Sequence, residues 1–198
     1  MYEKYKTFLS RYVALNFFEW EFLQRKLNVA YFKKGQTIHN IGDVCNRLYF
    51  INSGLARAYM INQDGKDYTW CIFFNDKNSD MSNLFVVDYE SFVNKKESRL
   101  SIEALEDCEL VYLSRDNLNF LYDNFKIGEH FGRLMSQEAY SILHNRMIDM
   151  QLKSAKERFE DFMRDTPYLL DKVPQYHIAS YLGMTPQYLS RLKREFNL

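Results

Sequence analysis

The last stretch of the chain, residues 173–198, constrains the fold more than any other part of the sequence. Two short helical segments meet at Gly183, and the second begins with Thr185-Pro186. Threonine is a favourable N-cap because its hydroxyl accepts a hydrogen bond from a free backbone N–H of the first turn. Proline suits the first helical position, since its φ is already helical and no N–H is needed there. This spacing predicts a helix-turn-helix.

Apolar residues of this stretch recur where two crossing helices would face each other. They are Ile178, Leu182, Met184, Leu189 and Leu192. The small side chain of Ala179 allows the two helices to approach closely. The alternative interpretation is a helical hairpin packed at the end of a domain, with a basic outer face that only keeps it soluble.

The outer face of the second helix is polar and basic. The residues predicted to contact DNA are Thr185, Pro186, Gln187, Tyr188, Ser190, Arg191, Lys193 and Arg194. In a helix-turn-helix the second helix enters the major groove. Gln187 and Arg191 lie one turn apart and are the candidates for base edges, because Gln pairs with adenine and Arg with guanine.

Backbone phosphates are the second expected target of this face. Thr185, Lys193 and Arg194 are assigned to them, whereas Tyr188 either contacts a sugar or packs. The formal net charge of the chain is +0, so it is not basic overall. Residues 151–198, however, hold eight Lys or Arg against six Asp or Glu. Local charge is what phosphate binding requires.

Short apolar runs separated by turn signals dominate the first half of the chain. They cover residues 29–32, 37–41, 47–52, 55–61, 68–74, 99–105 and 109–113. Asp64-Gly65 supplies the positive φ of a tight hairpin. Such strands predict an antiparallel β-roll or jelly roll, and the fold class is α+β. Residues 2–27 predict an amphipathic helix with Phe18 on its apolar face, and Asn16 or Asn28 as candidate turns.

Helical patterns follow the strands. Ser114 is expected to cap a short helix through Tyr122, and residues 128–154 predict one long helix. Its apolar residues are Phe131, Leu134, Met135, Ala139, Ile142, Leu143, Met147 and Met150. A stripe this wide needs a second apolar partner, so we expect a homodimer; the alternative is a helix buried within one chain. Residues 155–170 predict another helix, and 171–172 a linker.

These segments divide the chain into three parts. The expected parts are a β-roll domain with N-terminal helices at 1–127, a dimerisation helix at 128–154 and a helix-turn-helix domain at 155–198.

In this order, the glycine-punctuated β-roll, the long helix and the terminal motif resemble the Crp/Fnr superfamily of bacterial transcription regulators. The residues that carry the resemblance are Lys34-Gly35, Gly42-Asp43, Leu48-Tyr49-Phe50-Ile51, Ser53-Gly54, Asp64-Gly65 and the terminal HIASYLGMTPQYLSRLKREF. The resemblance implies a homodimer in which a small-molecule sensor domain controls two heads that bind double-stranded DNA. RNA polymerase is a further candidate partner.

One departure from the family concerns the phosphate-binding cassette. Members that bind cyclic nucleotides carry a Gly-Glu pair followed further along by Arg-Ser or Arg-Thr, in which Arg neutralises the phosphate. The matching candidate ligand residues here are Asp88, Tyr89, Glu90, Ser91, Ser98 and Arg99. The best register places Ser98 where the arginine belongs, and Arg99, one residue along a strand, faces the opposite side. We therefore expect an effector other than cyclic AMP, or none.

A second departure lies at the end of the sequence. Only a few residues follow the second helix before Leu198, which leaves little room for the β-hairpin wing that many relatives use on phosphates. DNA affinity is then expected to depend on Arg191, Lys193 and Arg194, and to fall steeply with salt.

The sequence contains no recognisable catalytic or metal-binding pattern. Its histidines and cysteines are His39, His130, His144, His177, Cys45, Cys71 and Cys108. They are scattered without metal-ligand spacing, and no nucleophile elbow, P-loop or dinucleotide motif occurs. We predict a non-enzyme without metal or cofactor. The odd cysteine count and the charged N-terminus predict a cytoplasmic protein that does not enter the membrane.

The leading prediction is therefore a dimeric, sequence-specific transcription regulator. The alternative is a small-molecule-binding β-roll protein whose terminal hairpin makes protein contacts. An enzyme of the double-stranded β-helix type would need clustered His and Glu ligands, which four dispersed histidines do not supply.

Overall fold

Two four-stranded antiparallel sheets form the first half of the molecule in a computed structural model that describes residues 1–197. The strands are β1 (Asn28–Phe32), β2 (Thr37–His39), β3 (Arg47–Ser53), β4 (Ala56–Ile61), β5 (Asp67–Phe73), β6 (Phe85–Val86), β7 (Ser101–Ala104) and β8 (Cys108–Ser114). One sheet has the order β1-β8-β3-β6 and the other β2-β7-β4-β5. Their inner faces enclose an apolar core. The α+β class and the β-roll are confirmed.

The β4–β5 hairpin shows why these strands end where they do. Gly65 has φ +75°, the left-handed conformation that glycine adopts without strain. The Asn62 side-chain oxygen accepts hydrogen bonds from the backbone N–H groups of Asp64 at 3.0 Å and Lys66 at 2.8 Å. The predicted hairpin is confirmed by this local hydrogen bonding.

The N-terminal segment differs from the single helix predicted for residues 2–27. It contains α1 (Glu3–Leu9) and α2 (Phe17–Gln24). The break is at Asn16, whose side chain accepts from the Glu19 N–H while Glu19 accepts from the Asn16 N–H. This capping box begins a new helix, and it leaves Phe18, predicted on the apolar face, 80% exposed.

Four helices lie between β5 and the C-terminal part, of which the last two are the predicted ones with shifted ends. They are α3 (Met81–Leu84), α4 (Tyr89–Asn94), α5 (Arg115–Asn124) and α6 (Lys126–Leu152). Ser114 caps α5 as predicted, because its hydroxyl accepts from the Asn117 N–H at 3.2 Å. The long helix α6 begins two residues earlier than expected and places Gly128 within its first turns.

The C-terminal part holds α7 (Ala155–Asp165), α8 (Leu169–Lys172), α9 (Gln175–Tyr181) and α10 (Pro186–Glu195). The helix predicted for 155–170 is too long, because Thr166-Pro167 ends it, and α8 occupies the segment expected as a linker. The helix cannot continue past Thr166, because Pro167 lacks a backbone N–H donor and disfavours the helical conformation of the residue before it. The last residue of the predicted domain, Leu198, lies outside the described residues.

One apolar cluster joins the two halves of the molecule. Phe159, Ile178 and Leu189 from the C-terminal helices pack in the same cluster as Leu55 and Ile72 from the β-roll. The helix-turn-helix is therefore held against the sheet that contains β4 and β5. Within the described residues, no helix combines the length and the apolar character that a bilayer span requires.

Candidate nucleic-acid interface

The turn between α9 and α10 is fixed by contacts that only a glycine permits. Gly183 has φ +65°, and a Cβ at this position would lie 2.5 Å from the terminal methyl of Met150 in α6. Thr185 then begins α10, because its hydroxyl accepts from the Tyr188 N–H at 3.2 Å, and Pro186 occupies the first helical position. The local structure predicted from the sequence is confirmed.

The inner faces of both helices are buried as the apolar pattern predicts. Ile178, Ala179 and Leu189 have no exposed surface, and Leu192 is 1% exposed. Because these residues anchor α10 from one side, its opposite side is held in a fixed orientation toward solvent.

Arg158 of α7 holds the turn from below, a role that the sequence did not reveal. Its guanidinium donates to the backbone oxygen of Leu182 at 2.8 Å, to that of Gly183 at 3.3 Å and to that of Lys153 at 2.5 Å. The first two bonds satisfy carbonyls that follow α9, and the third satisfies the carbonyl that follows α6. The contact spans more than twenty positions along the chain, so periodicity offers no signal for it.

The outer face of α10 carries the residues predicted to contact DNA. Those exposed are Thr185, Pro186, Gln187, Arg191 and Arg194, whereas Tyr188, Ser190 and Lys193 are half-buried. All eight lie on one short helix or its cap. Gln187, Arg191 and Arg194 share the solvent-exposed side, whereas Lys193 lies two residues from Arg191 and therefore on a different side. A row of donors on the N-terminal part of a helix matches the acceptors of base edges and phosphates.

The charges on this face are partly paired. The Arg191 guanidinium lies 4.5 Å from the centre of the Tyr188 ring and 3.8 Å from the Glu195 carboxylate. Lys156 of α7, a basic residue not predicted as part of this site, lies 3.7 Å from the same carboxylate. Exposed pairs of this kind contribute little stability, so both cations remain available to phosphate or base oxygens.

Helix α9 is attached to β5 through polar and aromatic contacts. The Thr69 N–H donates to the Ser180 hydroxyl at 2.8 Å. The Arg146 guanidinium of α6 lies 5.3 Å from the Trp70 ring and 4.5 Å from the Tyr181 ring. The long helix α6, the sheet that contains β5 and the helix α9 therefore meet at the Arg146 side chain.

His177 lies buried in this contact. It is 2% exposed and its Nδ1 has no hydrogen-bond partner among residues 1–197. Burial, together with the nearby Arg57 guanidinium, lowers the pKa of His177 to about 4, against a smaller opposing effect of Asp67. Arg57 itself pairs with Asp67 at 2.6 Å and with Glu103 at 2.7 Å. The histidine is therefore neutral at physiological pH.

The residues matched to the phosphate-binding cassette form a closed network instead of an open cradle. The Asp88 carboxylate caps α4 and accepts from the Ser98 hydroxyl at 2.6 Å. The Ser91 hydroxyl donates to the Lys96 backbone oxygen at 2.6 Å and accepts from the Cys45 N–H at 2.9 Å. These buried polar groups satisfy one another.

The other three cassette residues lie on the surface. Tyr89, Glu90 and Arg99 are exposed, and the Tyr89 hydroxyl is 3.2 Å from that of Ser136 on α6. Ser98 is buried and Arg99 is exposed as expected, but both precede β7, which begins at Ser101 and not at the predicted position 99. The six residues thus do not converge on one pocket.

Comparison with known proteins adds a family to this geometry. Residues 29–125 match the cyclic nucleotide-binding domain family. The fumarate and nitrate reduction regulatory protein of Yersinia pestis is 23% identical over 175 residues, covering 83% of this chain and 66% of that protein. The chain is similar to regulators of the Crp/Fnr superfamily. It spans 66% of the length of the curated relatives it matches.

Solved structures of the Crp/Fnr superfamily share the fold. FixK2 from Bradyrhizobium japonicum has a TM-score of 0.69 at 17% identity, with 86% of this chain and 84% of that chain covered. A Crp/Fnr-family regulator from Eubacterium rectale has a TM-score of 0.68 at 20% identity, with 92% and 84% covered. In the part of the chain that the structure describes, no group of His, Cys, Asp and Glu is arranged to hold a metal ion.

Proposed function

We propose that this chain is a sequence-specific transcription regulator of the Crp/Fnr type that binds double-stranded DNA as a homodimer. The observation that carries the proposal is the exposed basic face of α10 above a fully buried core. Gln187 and Arg191 are proposed to contact base edges, and Thr185, Lys193 and Arg194 to contact phosphates. Tyr188 holds the Arg191 guanidinium over its ring, which supports a packing role.

Dimerisation is proposed to use the solvent-exposed side of α6. Four of its apolar residues are 42% to 69% exposed: Tyr140, Leu143, Met147 and Met150. They are spaced by three, four and three residues, the a and d spacing of a coiled coil. A second copy of the helix is the partner that this spacing fits, because a self-complementary stripe forms a two-fold interface.

The other proposed partners and the proposed location follow from the role of a Crp/Fnr transcription regulator. A small-molecule effector and RNA polymerase are proposed as further partners. Cytoplasmic location is proposed because Cys45, Cys71 and Cys108 are free and buried, which suits a reducing compartment. The relatives named above are regulators, and no catalytic activity is proposed.

The test of DNA binding starts from duplexes selected out of a random pool, followed by fluorescence anisotropy against selected and scrambled sequences. Arg191→Ala is expected to weaken binding to the selected duplex by about 1–3 kcal/mol and to reduce discrimination against the scrambled one. Arg99→Ala, which removes an exposed arginine from the β-roll, serves as the matched control and is expected to bind like the parent. Affinity should fall steeply as salt rises.

Two outcomes would contradict the proposal. Unchanged discrimination by Arg191→Ala would remove this residue from base recognition. An absence of salt-sensitive retention on any duplex would favour the alternative, a β-roll protein whose terminal hairpin contacts another protein.

A further inference from the structure

An apolar cavity lies between the N-terminal helices, α5 and the first turns of α6. Its volume is about 60 Å³ and it opens to the surface on one side. Phe22 lines it from α2, Leu121 from α5, and Ile127 and Phe131 from α6. None of the six cassette residues lines it, so it is a separate site within the molecule.

Two tyrosines line this otherwise apolar cavity. Tyr5 is 5% exposed and Tyr122 is half-buried. Neither hydroxyl is hydrogen-bonded to a protein group within residues 1–197, and neither is among the fully enclosed unpaired atoms. The Tyr122 ring packs directly against Gly132, since a Cβ at position 132 would lie 2.8 Å from two of the ring carbons. Burial, and then the neighbouring Tyr122, raises the pKa of Tyr5; burial, and then Tyr89, raises the pKa of Tyr122 to about 12. Both hydroxyls therefore remain protonated donors.

A hydroxyl that no protein group pairs with can donate to a ligand's acceptor oxygen without breaking an internal hydrogen bond. Here two such donors line one apolar space, which is the usual composition of a small-molecule site. The charged group among the described lining residues is Glu19, and it accepts a hydrogen bond from the Asn16 N–H at 2.8 Å. A negatively charged ligand would meet no cation in this lining.

We propose that this cavity binds a neutral, single-ring molecule whose carbonyl or similar acceptor oxygen pairs with the hydroxyls of Tyr5 and Tyr122. The enclosed volume is smaller than the roughly 150 Å³ apolar cavity that holds benzene, but one side is open. The ring therefore sits with one edge in the mouth. Its occupant would touch Ile127 and Phe131, at the start of the helix proposed to pair the two copies.

This site names a ligand class for the effector included in the proposed function, yet its binding test requires no DNA. The probes are acetophenone, which carries a carbonyl oxygen, and ethylbenzene, which has a similar shape and no acceptor. Calorimetry is expected to show that acetophenone binds about three- to tenfold more tightly, the contribution of one neutral hydrogen bond. The combined Tyr5→Phe and Tyr122→Phe variant is expected to bind both probes equally.

Controls separate this outcome from loss of structure. Tyr31→Phe, which removes an exposed hydroxyl from β1, should retain the preference for acetophenone. Leu15→Trp, which enlarges a half-buried side chain lining the cavity, should weaken both probes. Without ligand, Tyr5→Phe should unfold at about the same temperature, because it removes a hydroxyl that makes no hydrogen bond to the protein.

The proposal is overturned if neither probe binds at millimolar concentration, or if the two bind the parent equally. A preference for acetophenone that survives the double Tyr→Phe change would also overturn it. These results are independent of DNA affinity, so a failure of DNA binding and a failure of this site are distinguishable.

Discussion

Protonation of His177 is expected to loosen the contact between α9 and β5. The side chain is 2% exposed in the folded protein, its Nδ1 has no partner among residues 1–197, and Arg57 lies nearby. A proton on this ring would place a second positive charge in a desolvated contact. Acidification therefore opposes the docked position of the helix-turn-helix on the β-roll.

The direction and the size of this pH effect on stability follow from the pKa of His177. In the unfolded chain the pKa of a histidine is about 6.5, whereas burial lowers the pKa of His177 to about 4 in the folded protein. The unfolded state therefore binds the proton more readily between these values. The stability that neutral His177 contributes is present above pH 6.5 and is lost as the pH falls toward 4. This difference corresponds to about 3 kcal/mol.

The assay is urea unfolding at a series of pH values from 7.5 to 4 for the parent and for His177→Gln. Glutamine is neutral throughout, so the variant lacks the proton-linked loss. The free energy of unfolding of the parent relative to the variant is expected to fall by about 3 kcal/mol over this range. His39, whose pKa is lowered by burial, and the carboxylates titrate in both proteins and cancel in the difference. Parallel pH profiles for the two proteins would refute the assignment.

Three further predictions concern the cassette and the dimer. Ser98→Ala leaves the buried Asp88 carboxylate without its hydroxyl donor, so urea unfolding should show a loss of about 1–3 kcal/mol that Arg99→Ala does not share; equal stabilities would contradict the closed network. Cyclic AMP should leave the unfolding temperature unchanged, and a rise of several degrees would show that the network opens for it. Met147→Glu should convert the dimer to a monomer in analytical ultracentrifugation, whereas Asn145→Glu on the opposite side of α6 should not; a dimer that survives Met147→Glu would exclude this stripe.

Features set by neighbours in sequence were predictable. The cap of α10 by Thr185, the cap of α5 by Ser114 and the turn at Asp64-Gly65 each depend on groups within four positions. Residue type at such spacing determines which backbone group is satisfied, and tertiary context does not alter it. The antiparallel β-roll also followed, because short alternating runs have few other ways to bury one face.

Features set by distant contacts were not predictable. The broad apolar stripe of α6 gave no clean heptad, because it combines residues of two kinds. Met135 is buried in the cluster that includes the N-terminal helices, whereas Leu143 and Met147 are exposed. Once the buried apolar residues of α6 are set aside, the exposed ones that remain follow the regular spacing of three and four residues. Arg158 was missed for a related reason, since its acceptors are brought near by folding alone.

The contacts of α6 explain how one helix could report on both ends of the molecule. Its start lines the cavity through Ile127, and its last turns place Arg146 between Trp70 and Tyr181 and Met150 against Gly183. The Met150 contact leaves no space for even a Cβ at the turn before α10. Packed interiors transmit such displacements instead of absorbing them. Because the Met150 methyl ends a flexible side chain, we expect a shift of α6 to reach the turn chiefly through Arg146, whose guanidinium lies against the rings of Trp70 and Tyr181.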